Sequence, residues 1–126
     1  MRDPFIELNK ILSNYSKGNK NIAYKKLKKF SKNHPNNQKI YFNLAIIEQD
    51  LGLLSQAIAS YEKLIKNYNN LNSKINLYLL YIKEQDYKNA LRIIELIENS
   101  QSSVKILIDK AYILLKINDI QKCMEI

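Results

Sequence analysis

The stretch Gln38–Leu71, QKIYFNLAIIEQDLGLLSQAIASYEKLIKNYNNL, decides the fold. Tyr41, Leu44 and Ala45 precede a turn at Leu51-Gly52, and Ala57, Tyr61 and Leu64 follow it. Separations of three and four place side chains on one face of a helix. The stretch therefore predicts a helix, a short turn and a second helix. No alternation with the period of a strand competes with this pattern.

The same string recurs along the chain. Small side chains stand at Ala23, Ala57, Ala90 and Cys123, at spacings of 34, 33 and 33 residues. Ala23 opens a run with Leu27 and Phe30, and Ala90 opens one with Ile94 and Ile97. A small residue at that slot lets a neighbouring helix approach closely, which explains why alanine recurs where leucine does not. Turns are expected ahead of each, at Gly18-Asn19, Leu51-Gly52, Gln85-Asp86 and Asn118-Asp119. The segments before those turns are helical in pattern too. Asp3-Pro4 is a good helix start, followed by Phe5, Leu8, Ile11, Leu12 and Tyr15. Lys74, Leu77, Tyr78 and Tyr81 hold the slots of Tyr41 and its neighbours in the third unit, and Leu107, Lys110, Ala111 and Leu114 in the fourth. His34-Pro35-Asn36-Asn37 and Asn67 to Asn72 link one unit to the next.

Composition agrees with an all-α chain. With 126 residues, 46% of them hydrophobic and 25% charged, there is enough for one domain with a core. Two glycines and two prolines are too few for a fold made of many tight turns. One cysteine excludes a disulfide framework, and one cysteine with one histidine excludes a zinc site built from those ligands alone. No apolar run approaches the ~18 residues that span a bilayer, and Met1-Arg2-Asp3-Pro4 lacks the apolar core of a secretory signal. A reduced, cytoplasmic setting is the expectation. The net charge of +8 comes entirely from residues 1–39, where ten basic groups face Asp3 and Glu7. Lysine and asparagine abundance also fits an AT-rich coding sequence.

A period of 33 to 34 with two helices per unit resembles the tetratricopeptide repeat. Tyr41, Leu44-Ala45, Gly52, Ala57, Tyr61 and Leu64 carry the likeness in the second copy. Gly18, Ala23, Leu27, Phe30 and Pro35 carry it in the first, and Leu77, Tyr81, Asp86-Tyr87, Ala90, Ile94 and Ile97 in the third. The copies run over about 4–37, 38–70, 71–103 and a truncated 104–126. Four positions depart from the family pattern. Tyr78 fills a small slot, Lys110 an apolar one and Glu48 an aromatic one, and Asn69 replaces a common proline. Ankyrin repeats have a similar period, but no Thr-Pro-Leu-His turn is present.

The resemblance implies one right-handed superhelical solenoid of antiparallel hairpins over residues 1–126, with the first helix of each hairpin lining a concave groove. It implies a non-catalytic module that binds an extended segment of another protein. Leu8, Phe42, Ile75 and Ile108, then Leu12, Ile46, Leu79 and Tyr112, form an apolar stripe at the repeat spacing. Beside it lie Asn9, Asn43, Asn76 and Asp109. An asparagine amide both donates and accepts, so it can pair with a peptide group whatever the bound sequence. Some members of the family use an asparagine ladder in this slot. The same residues also suit local capping or a solvated face. A clamp for a C-terminal carboxylate is not supported, because its slots hold Leu8, Leu12, Phe42 and Ile46.

Lys25, Lys29 and Lys32 share an outward face of the first copy's second helix. They suit a solvated surface or an acidic partner, and they lack the arginine forks and aromatic stacking that nucleic acid calls for. For catalysis there is little. His34 sits in a His-Pro linker, Cys123 replaces a packing alanine and is expected to be buried, and no phosphate-cradling glycine loop exists. No enzyme activity, metal or cofactor is expected. The fourth copy would leave Ile113, Leu114, Ile117 and Ile120 without a partner, which suggests self-association at that end or a longer chain. The alternative function is the N-terminal arm of a larger glycosyltransferase or sulfotransferase, presenting substrate to a domain beyond residue 126.

Overall fold

The computed structural model describes residue 10 and residues 20–124. Apart from residue 10, the helix expected from Asp3-Pro4 to Tyr15, the turn at Gly18-Asn19, and Asn9 all lie outside the described residues. Six helices are described: α1 (Lys20–Lys32), α2 (Gln38–Asp50), α3 (Leu54–Tyr68), α4 (Leu71–Lys83), α5 (Tyr87–Ser100) and α6 (Val104–Met124). No strand occurs among the described residues. The chain divides into two compact units, 1–68 and 69–126. In the first, α2 packs on α1 and on α3; in the second, α5 packs on α4 and on α6.

Short polar residues start these helices, since the first turn leaves backbone N–H groups without intrahelical acceptors. Asn37 accepts from Ile40 N at 3.2 Å, Asn70 from Ser73 N at 2.8 Å and Asp86 from Asn89 N at 3.3 Å. Ser103 accepts from Ile106 N at 3.3 Å at the start of α6. The two hairpin turns are built alike. Leu53 N donates to Glu48 O at 2.9 Å around Gly52, and Asp86 N donates to Tyr81 O at 2.8 Å around Gln85. Both Gly52 (φ 79°) and Gln85 (φ 61°) are left-handed there, a conformation that closes a helix end cheaply for glycine and less so for glutamine. Asn69 is also left-handed, at φ 52°. Asparagine tolerates that region, whereas the family's proline is locked near −65° and could not adopt it.

The recurring small residues sit where close packing needs them. Ala23, Ala57 and Ala90 are fully buried. In the first unit Ala23, Leu27, Ile40, Leu44 and Ile47 form a core against which Tyr24, Phe30, Tyr41 and Leu51 pack. In the second, Leu77, Tyr78 and Leu80 of α4 meet the interior beside Ile93, Ile94 and Ile97 of α5.

The fourth unit differs from expectation in three respects. No turn forms at Asn118-Asp119: α6 runs unbroken for 21 residues. A continuous helix keeps its internal backbone bonds, and this position has no residue in the left-handed conformation of Gly52 and Gln85 to reverse the chain. Cys123 is therefore exposed rather than buried, because no second helix folds back to enclose it. Ile113, expected to lack a partner, is fully buried against the rest of its unit, while Leu114 and Ile120 remain about half exposed.

Candidate functional site

Residues Phe42, Asn43 and Ile46 share one side of α2, turned away from the core positions Ile40, Leu44 and Ile47. All three are half-buried. The Phe42 ring meets Tyr61 of α3 edge-on, with centroids 6.3 Å apart, which fixes an apolar shelf beside the amide. Asn43 Nδ2 donates to Lys39 O at 2.8 Å, one turn back in its own helix. That bond uses a donor and leaves the Oδ1 acceptor for other groups.

In the second unit Ile75 and Asn76 are half-buried and Leu79 is 40% exposed, all on α4. Ile75 opens onto a hollow of about 360 Å³ with Leu71, Tyr78, Ile97 and Ile106 in its walls. The last members of the two series are engaged differently. Asp109 Oδ2 accepts from Tyr78 OH at 2.6 Å and from Lys105 Nζ at 3.1 Å, so this carboxylate ties α6 to α4. The Tyr112 ring stands edge-on to Tyr87 at 6.5 Å, with Lys116 Nζ 5.5 Å from its centroid. Within its own unit, each of α2 and α4 thus presents a short apolar and amide face.

Three departures from the repeat pattern have polar partners. Glu48 is almost wholly buried, yet its Oε2 accepts from Tyr24 OH at 2.9 Å and its Oε1 from Ser60 Oγ at 2.7 Å. A buried carboxylate without such donors would cost several kcal/mol by order of magnitude. Lys110 places its ammonium 3.1 Å from Glu98 Oε1 and 3.0 Å from Oε2, which serves a cation in a usually apolar slot. Tyr78, in a slot usually small, is fully buried and spends its hydroxyl on Asp109.

These phenols make the fold sensitive to alkali. Burial first, then the hydrogen bond to Glu48 and its negative charge, push the Tyr24 phenol up to about 12. The corresponding causes, burial foremost and then Asp109, raise Tyr78 further. A phenol whose folded pKa lies above its unfolded value stabilises fully below about pH 10, and that contribution is lost as pH rises through the folded value. Urea midpoints are expected to fall between about pH 10 and 12, and to fall less steeply in Tyr24→Phe. Equal slopes in the variant and the parent chain would refute the role given to Tyr24.

Lys25, Lys29 and Lys32 are all exposed on α1. Lys32 borders a hollow with Lys28 and with Lys63 of α3, whereas Lys25 and Lys29 do not. Sequence reasoning missed Lys63, which lies far along the chain and carries no local signal. His34 packs its ring on Phe30 at 4.4 Å, and its backbone carbonyl accepts from Asn37 N at 3.2 Å. Among the described residues no group of three or more His, Cys, Asp or Glu could hold a metal ion. None of the described helices is long and apolar enough to cross a membrane.

The tetratricopeptide repeat family profile matches residues 40–70. No curated protein matches the sequence. Solved structures share the fold at low identity. MamA 41-end from Desulfovibrio magneticus RS-1 is 19% identical over 77% of this chain and 55% of its own, with a TM-score of 0.69. The MamA RS-1 ArsTM double mutant is 17% identical over 97% of this chain and 70% of its own, with a TM-score of 0.78. A tetratricopeptide repeat protein from Parabacteroides merdae is 22% identical over 92% of this chain and 46% of its own, with a TM-score of 0.78. The chain thus spans about half the length of the first and the third of these proteins.

Proposed function

From a chain that carries a tetratricopeptide repeat and the all-α fold of such proteins, we propose a non-catalytic scaffold that binds an extended segment of a partner protein. The segment meets Phe42, Asn43 and Ile46 in the first unit, and Ile75, Asn76 and Leu79 offer the corresponding face in the second. One observation carries the reading: both triplets stand off their unit's core while their neighbours Leu44, Ile47, Leu77 and Leu80 are buried. Each triplet pairs two apolar anchors with an amide that can bond a peptide backbone, a combination suited to a strand of varied sequence. A cytoplasmic setting belongs to the same reading and is supported by the lone cysteine.

Asn43→Ala with Asn76→Ala is the direct test. Loss of two hydrogen bonds to a bound backbone is expected to weaken binding by about tenfold, at about 1 kcal/mol or less per bond. Thermal stability should hardly move, because both positions are only half-buried. Isothermal titration with a peptide selected from a display library reads the first, and a melting curve the second. Unchanged affinity would discard the amide ladder.

A second reading, self-association through the C-terminal helix, is favoured by the face of α6. Leu107, Ile108, Leu114 and Leu115 are 46–62% exposed there. Apolar residues gathered in one stripe of a helix are unusual at a wetted surface. Sedimentation equilibrium is expected to show a dimer that dissociates on dilution, and Leu107→Glu with Leu115→Glu should abolish it. A monomer at every concentration would contradict this reading.

A further inference from the structure

A second site stands apart from the α2 and α4 faces. Between α1 and α3, floored by α2, lies a cleft of about 300 Å³. Tyr41, Leu44, Ala59 and Leu64 make its apolar lining. Tyr41 braces the floor by donating to Ser31 O of α1 at 3.3 Å. At 3.6 residues per turn, Tyr41, Leu44 and Glu48 fall on one side of α2 and Phe42, Asn43 and Ile46 on the other. The cleft and the partner face are therefore independent surfaces.

Its rim is cationic. Lys28 and Lys32 stand on one side and Lys63 on the other, all exposed. None of the three makes an ion pair with a described residue. Instead, Lys28 Nζ lies 5.7 Å from the Tyr24 ring centroid and Lys63 Nζ 5.7 Å from that of Tyr41, so aromatic faces hold both ammoniums over the opening. Helix α1 carries six lysines and no acidic residue, which adds to the field at this mouth. The one acid in the cleft, Glu48, is buried at its base and already takes hydroxyl bonds from Tyr24 and Ser60. Negative charge deep in the cleft and positive charge at its mouth sort a ligand: its apolar part goes in and its anions stay at the rim.

We propose that this cleft binds an acidic peptide segment, which inserts one apolar side chain and lays flanking carboxylates on Lys28, Lys32 and Lys63. A hollow of this size is at the small end of ligand sites and fits one side chain rather than a folded surface. The probe is a fluorescein-labelled pentapeptide with a central phenylalanine and two acidic residues on each side, followed by anisotropy at low salt. Saturable binding is expected. Lys32→Glu with Lys63→Glu should weaken it by about tenfold or more, and Lys25→Glu with Lys29→Glu, which changes net charge equally, by less than about threefold. Ala59→Phe, at an exposed position that tolerates bulk, should fill the cleft and abolish binding while the helical circular dichroism persists. Asn43→Ala with Asn76→Ala should leave this peptide's affinity unchanged, so the two sites fail separately. Equal losses from both lysine pairs would reduce the effect to net charge and overturn the proposal. So would binding that survives Ala59→Phe, absence of saturable binding, or attachment to equimolar phosphatidylcholine and phosphatidylglycerol vesicles in place of the peptide.

Discussion

Tyr78→Ala is expected to lower the stability of the unit formed by residues 69–126 by about 3–5 kcal/mol. The ring is fully buried, so its removal opens a cavity that the surrounding helices can fill only in part. An aromatic side chain of this kind takes about 150–250 Å² out of water. Its hydroxyl also donates to Asp109 Oδ2 at 2.6 Å, across 31 residues of sequence, and so fastens α6 to α4. Tyr78→Phe separates the two contributions. It keeps the ring and removes the donor, but Lys105 still reaches the same carboxylate at 3.1 Å, so a loss of about 1 kcal/mol is expected. Urea denaturation followed by circular dichroism measures both. A loss below about 1 kcal/mol for Tyr78→Ala would show that the ring is not part of the core.

The second large effect tests the repeat itself. Ala90→Leu is expected to destabilise by about 1–3 kcal/mol, although leucine is the more hydrophobic residue and helix propensity differs little. Ala90 is fully buried among Ile93, Ile94 and Ile97 on the inner side of α5, so the larger side chain must push α4 or α6 away. Ala57→Leu should behave alike in the first unit, where Ala57 is fully buried beside Tyr61 and Leu64. Cys123 is exposed, and Cys123→Leu should therefore cost nothing measurable. Thermal melts of the three variants give the ranking. Stabilisation by Ala90→Leu would mean that the small side chain is not what allows the helices to approach.

Much of this fold could be read from the sequence because packing left a periodic mark. Ala23, Ala57 and Ala90 mark where helices approach, and the apolar residues four and seven positions later mark the buried side. What could not be read depended on contacts between distant positions. Tyr78 with Asp109 and Glu48 with Tyr24 look like violations until their partners are placed beside them. The fourth copy misled because Cys123 kept the alanine spacing while Asn118 and Asp119 stayed helical, with no left-handed residue to reverse the chain before it. Asparagine abundance hid a signal that turn chemistry could have found: Asn37 and Asn70 cap helices, and Asn69 supplies a left-handed link.

The candidate surfaces divide in the same way. Phe42, Asn43 and Ile46, or Ile75, Asn76 and Leu79, lie within one helix and could be found by spacing alone. Joining Lys28 and Lys32 to Lys63 required α1 and α3 to be brought side by side over α2, which no local pattern announces.

We propose that an extended partner segment is bound by the Phe42 face of α2 and by the Ile75 face of α4. Amide shifts of the isotopically labelled chain, recorded with a selected peptide of about a dozen residues, about 40 Å when extended, test it most directly. The largest shifts are expected at residues 42–46 and 75–79, and at subsaturating peptide they should shrink together in Asn43→Ala with Asn76→Ala. Peptides that bind tightly yet leave both stretches unmoved would contradict it.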